Sequence, residues 1–255
     1  MTAHAEFAYA QARLQARHGL LPQATVWQAL EASRTAGHYL ALARSGPMAE
    51  WIEGLDDASD THRIERHLRA RWRRHVDAVA RWLPQRWQPA VRWFGTLSDL
   101  ALIDALQRGG HASNWLHLDE HLATFQLPDP ATRAQALRAS GLAVFAAPDK
   151  RGLEGDVVAR WLDQWTRLLP PDADAPALLR QPAELLLPRM LDAGAARAAN
   201  AESTRRALVR LFRRHAASAV AALAHLALVA LDVERLRGGL AMRILFEVRP
   251  EPEGS

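Results

Sequence analysis

The chain contains no cysteine and a single lysine, Lys150. The first absence excludes disulfides, thiolate metal sites and a cysteine nucleophile. The second leaves the positive charge almost wholly to arginine, which suits bidentate contacts with carboxylates and phosphates. There is no Walker-type glycine loop, no G-x-G-x-x-G turn and no G-x-S-x-G elbow, so nothing in the sequence points to a nucleotide, a flavin or serine-hydrolase chemistry. The absence of strong catalytic motifs favours a binding or scaffolding role, with no cofactor expected. The first residues, MTAHAEFAYAQARLQARHG, are polar and amphipathic and carry no apolar signal core, which sets the cytoplasm as the expected compartment.

What is present is a chain of 255 residues, 49% hydrophobic and 24% charged, which reads as a soluble globular protein able to bury a sizeable core. Basic residues number 32 against 28 acidic ones. So small an excess marks a nucleic-acid binder only where the charge is clustered. Alanine, leucine, arginine and glutamate dominate and β-branched residues are sparse, so the expected fold is all-α. The punctuation predicts a multi-helix bundle of about eight to eleven helices. Residues 1–112 would form an N-terminal unit, 113–190 an irregular central segment and 191–255 a C-terminal unit, or all three a single domain.

The spacing predicts a first helix from Phe7 to His18, stopped at Gly19, and a second after Pro22 with Val26, Trp27 and Leu30 on one face. The clearest helix lies over 61–83. Asp60 or Thr61 can cap it, Ile64, Leu68, Trp72, Val76, Val79 and Leu83 form its apolar stripe, and Pro84 ends it. A further helix is expected from Ala90 to about Arg108. Between 171 and 188 the prolines predict only short pieces, and from about Asn200 a long helical region is expected, with a break at Gly238-Gly239. Its alanine-rich run, Ala216 to Leu231, falls short of the about 20 apolar residues a membrane span needs, contains His225 and stops at Asp232. It is read as a buried central helix.

Three patterns are candidates for function. HLDEH, His117 to His121, matches the H-x-x-E-H arrangement in which two histidines four apart on a helix face hold zinc and the glutamate acts as base. His117, Glu120 and His121 would then form a zinc-hydrolase site, with Glu184 or Glu202 as the downstream third ligand. The run RIERHLRARWRRHVDAVARW combines arginine with tryptophan, as single-stranded nucleic acid requires. Its tryptophans fall on or near the apolar stripe, so core packing explains them, with the arginines solvated or facing a partner, and no nucleic acid is expected. Most of the nine tryptophans should be core or interface anchors, with some of those in RWQPAVRW and RWLDQW at a partner surface.

Several segments together resemble a known family. YAQARLQARHGLL supplies Tyr9, Ala12, Arg13, Ala16, Leu20 and Leu21, and RTAGHYLALARSG places Tyr39 in a leucine-containing stretch. SDLALIDALQRGG and LDVERLRGGLAMR each carry an acid followed by leucine and arginine positions: Asp99, Ile103, Asp104, Leu106 and Arg108 in the first, Asp232, Val233, Glu234, Leu236, Arg237 and Leu240 in the second. In these features the chain resembles the C-type stalk component of archaeal and bacterial V-type ATPases, the counterpart of the eukaryotic d component. The family's usual asparagine is replaced by Leu102 and by Arg235. The resemblance covers about 7–110 and 200–245, and the chain is shorter than members built from three related helical units. It implies a funnel-like, non-catalytic adaptor between the central stalk and the membrane rotor ring. Its partners would be the other components of a rotary ATPase, and its location cytoplasmic, peripheral to the inner membrane through the complex, with no transmembrane span of its own. The alternative is a generic helical scaffold or regulatory interaction module.

Overall fold

The computed structural model describes residues 3–108, 115–119, 121–146, 157–173, 175–191 and 201–246. Every regular element among them is helical, giving an all-α multi-helix bundle. The first four helices are α1 (Ala3–Gly19), α2 (Ala24–Ala32), α3 (Ala36–Arg44) and the single turn α4 (Ala49–Ile52). Next come α5 (Thr61–Trp82), α6 (Gln88–Trp93), a 3-10 stretch over Phe94–Asp99 and α7 (Leu100–Gln107). Then follow α8 (Pro130–Ala139), α9 (Val157–Leu168), α10 (Pro176–Leu191), α11 (Ala201–Arg214) and α12 (Ala219–Phe246).

The centre of the bundle is α12, which packs against α1, α3, α5, α10 and α11. From Ala219 to Ala230 every residue of α12 is buried, so this stretch has no solvent face. Its alanines let neighbouring helices approach closely. Among the described residues no helix is long and apolar enough to cross a membrane.

The amphipathic α5 lies against it much as its spacing predicts. Asp60 caps it, accepting a hydrogen bond from the Arg63 amide at 2.6 Å, and Ile64, Leu68, Trp72, Val76, Val79 and Leu83 are all buried. Tryptophan does much of the remaining packing. Trp161 and Trp165 of α9 stack with ring centroids 6.2 Å apart, and their indole N–H groups donate to Thr96 Oγ1 at 2.7 Å and to the Ala90 carbonyl at 3.0 Å. Trp93 in turn donates to the Trp161 carbonyl at 3.1 Å. The tryptophans of RWLDQW, together with Trp87 and Trp93 of RWQPAVRW, are therefore buried anchors and not partner-facing ones.

Three sequence expectations give way. The predicted helix from Ala90 to Arg108 is divided by the 3-10 stretch around Gly95. The proline-punctuated region over 176–191 is one continuous 16-residue helix, with Pro182 and Pro188 inside it. Burial of Leu179, Ala183, Leu186, Leu187 and Met190 supplies the packing that holds it together. Finally, α12 runs unbroken through Gly238-Gly239. A Cβ on Gly239 would lie 2.4 Å from the Tyr39 hydroxyl oxygen, whereas one on Gly238 would meet nothing within 4 Å. Gly239 is a point of close approach between α12 and α3, not a helix terminator.

Candidate functional site

The two acid-containing segments singled out in the sequence each place an aspartate against arginine. Asp99 follows the arginine-rich α5, is 1% exposed, and accepts from Arg69 at 2.9 Å and from Arg73 at 3.3 Å. Arg73 also donates to Asp119 at 2.8 Å. Burial raises the Asp119 pKa, but Arg73 and the amides of His121 and Leu122 outweigh it and hold the carboxyl below the usual range. Asp232 lies in α12 after the arginine-rich α11, is 3% exposed, and accepts from Arg205 of α11 at 2.6 Å. Its burial raises its pKa to about 6 despite Arg205. In both places a buried aspartate ties an arginine from the preceding amphipathic helix.

The rest of the motif divides by burial. Leu236 and Leu240 are fully buried, and Val233 is buried beside them. Arg237 bridges Glu65 of α5 at 2.8 Å and Glu234 at 2.6 Å. Burial opposes its charge, but the two glutamates prevail and raise its pKa above the ordinary arginine value. Arg235, in the place of the family's asparagine, pairs at the surface with Glu31 of α2 and lies 4.7 Å from the Trp27 ring centroid. Tyr39 is buried under Arg243, whereas Tyr9 is exposed and covered by Arg13 at 5.2 Å. Arg108 pairs with Asp104 one turn earlier on α7.

The outer face of α5 forms an open basic groove with α6 and the residues around Asp119. Arg63, Arg66, Arg73, Arg74 and Arg81 line one side and Arg92 another. Several are already engaged: Arg81 and Arg92 share Asp77, and Arg63 donates to the Gly54 carbonyl. Arg66 and Arg74 have no carboxylate partner among the described residues and lie two turns apart on one helix face. No phenylalanine, tyrosine or tryptophan lines the groove, whose rings are those of His67 and His121, so it lacks the large stacking platforms of a single-stranded nucleic-acid channel.

A second concavity, of about 220 Å³, opens between the end of α1, the Pro47–Trp51 segment, α5 and α12. His75, His225 and Asp232 reach it from the core side, and Arg17 and Glu50 pair across its rim at 3.4 Å. His225 is fully buried, and neither of its ring nitrogens has a hydrogen-bond partner. His75 Nε2 is also unpartnered, whereas the Trp27 indole N–H lies against the Asp232 carboxylate. The two imidazole centroids lie 6.0 Å apart. Burial pushes the His75 pKa down to about 4 and that of His225 to about 3, so both rings are neutral. His18, stacked on Phe212 at 4.2 Å, approaches His225 from the other side, with centroids 6.5 Å apart. Helical spacing places His225 in the central helix but attaches no role to it, and it passes over His75. The available signal was a histidine inside an otherwise apolar run.

The zinc reading of HLDEH loses its geometry. His117 lies in a 3-10 turn over Leu116–Leu118, and Asp119 then takes an extended backbone (φ −99°, ψ 115°) before His121. His117 and His121 therefore do not share one helix face, and Glu120 lies outside the described residues. Among the described residues no group of three or more histidine and acidic side chains could hold a metal ion. The residue of that motif with a visible structural part is Asp119. Comparison of the chain with protein-family models, with curated proteins and with solved structures gives no match.

Proposed function

We propose that the chain is a non-catalytic helical adaptor that couples the central stalk to the rotor ring of a V/A-type rotary ATPase. The observation that carries this reading is the pair of buried aspartate ties. The two segments that resemble the family motif each set a buried aspartate, Asp99 and Asp232, against an arginine of an amphipathic helix before it. Such a repeated device suits a protein that must stay rigid under torque. A buried pair with well-made hydrogen bonds is costly to break by removing one partner, about 3–5 kcal/mol. The open arginine groove offers a charged face to a partner, while the chain needs no span of its own to sit on a membrane complex.

Native affinity purification of the tagged full-length chain from solubilised membranes tests the assignment. Co-purification of the ATP-hydrolysing components and the rotor ring is expected, and their absence under conditions that keep the ATPase intact overturns it. A generic scaffold would carry the same aspartate ties with no ATPase components attached, so the same experiment separates the two readings.

A further inference from the structure

The cavity bounded by His75, His225 and Asp232 asks for an occupant. His225 presents both ring nitrogens and His75 one without a partner, and His225 belongs to the buried core. A native interior rarely leaves such atoms unpaired, because each costs the full desolvation of a polar group. A cavity of about 220 Å³ is far more than a single water needs and leaves room for one small planar ring. We propose that this cavity binds a small, neutral, planar organic molecule whose polar edge both donates and accepts hydrogen bonds, as an aromatic amide does.

The chemistry follows from the walls. A neutral imidazole offers one donor and one acceptor, and two such rings face the cavity. The occupant must therefore carry at least one N–H or O–H and also an acceptor. It need not be charged. Arg17 is already paired with Glu50 at 3.4 Å and Arg205 with Asp232 at 2.6 Å, so no local charge is left to be neutralised, and an ion would enter without a counterion. The remaining wall is apolar, with Leu21, Met48, Trp51 and Val229. The Trp51 and His75 rings, with centroids 5.4 Å apart, give an aromatic surface beside the polar atoms. The exposed Leu20 and the Arg17–Glu50 pair form the rim through which a ligand would enter. The site is independent of the adaptor proposal and can be tested on the isolated full-length chain.

The test titrates the folded full-length chain with benzamide while the ring-nitrogen NMR signals of its histidines are followed. Benzoate and benzylamine serve as analogues of similar shape and opposite charge. The expected result is a saturable one-to-one shift confined to His75 and His225, with both charged analogues at least tenfold weaker. His225→Leu should weaken benzamide at least tenfold with the helical circular-dichroism signal unchanged. Should that variant unfold, Leu21→Trp at the half-buried rim gives the same tenfold loss by filling the entrance. A shift that never saturates, one spread over all histidines, equal or tighter binding of a charged analogue, or full affinity in Leu21→Trp overturns the proposal.

Discussion

Gly239 shows how one atom decides a helix contact. The Tyr39 ring fills the space where its side chain would stand, and Tyr39 is itself buried, with its pKa raised to about 12 chiefly by that burial. Gly239→Ala should therefore lower stability by about 1–3 kcal/mol, the usual cost of overpacking. Gly238→Ala has open space around it and should raise stability by about 0.5–1 kcal/mol through helix propensity. Thermal unfolding of the two variants reads the contrast, and equal effects would contradict the packing account. His225 gives a second residue-scale prediction. Below the ordinary histidine value of 6.5, the unfolded chain takes up protons that His75 and His225, at about 4 and about 3, do not accept. The unfolded state then binds more protons, so stability falls as pH drops from 6.5 toward 4. Asp232 opposes this. Its pKa of about 6 lies above the ordinary 3.8, so the folded state binds the extra proton between those values and that contribution falls as pH rises. Two histidines outweigh one aspartate. His225→Leu should move the acid-unfolding midpoint, followed by circular dichroism, to lower pH.

Among the elements, α10 and the ties of α5 and α11 are the most instructive. A helix with Pro182 and Pro188 inside survives because its apolar face is buried against α12, α11 and α7. Isolated as a peptide it should be largely unfolded. The Asp99 tie joins two arginines of α5 to the 3-10 stretch before α7, deep in the molecule. Asp99→Ala leaves Arg69 with Glu65 and Arg73 with Asp119 but removes the buried acceptor they share, and should cost about 1–3 kcal/mol in denaturant unfolding. Asp163→Ala removes an exposed pair with Arg167 inside α9 and should cost no more than about 0.5 kcal/mol. Comparable losses from the two would mean that burial is not what gives the Asp99 tie its weight.

For the whole molecule, a buried hub, α12, leaves the charged faces of the outer helices free for partners. Arg66 and Arg74 are where charge can be changed without disturbing the core. The double variant Arg66→Glu, Arg74→Glu should unfold within about 0.5 kcal/mol of the parent. If the groove receives a partner, the same variant should lose its co-purifying proteins, and in the parent that association should weaken as salt is raised. Retention of all partners by the variant would move the interface to another face.

Much of the fold is legible in the chain because helices follow a local rule. Asp60, the stripe from Ile64 to Leu83 and Pro84 specify α5 by cap, period and stop, and the alanine-rich run ending at Asp232 announces a helix with no wet side. None of this depends on distant residues. What local rules cannot contain is who stands opposite. The prolines of α10 and the glycine pair of α12 read as breaks, because sequence punctuation reports propensity and not the burial that overrides it. Asp99 and Asp232 stand in the sequence as motif acids and Asp119 as a spacer of HLDEH, and only the fold brings Arg69, Arg73 and Arg205 against them. His75 and His225 lie 150 residues apart and share a cavity only because α5 and α12 pack side by side. The sequence by itself determined the helical class and the bounds of α5, through backbone propensity, capping and hydrophobic period. The tertiary structure alone decided which polar groups are buried, which are paired and which stand without a partner, because each of those depends on contacts between residues far apart in the chain.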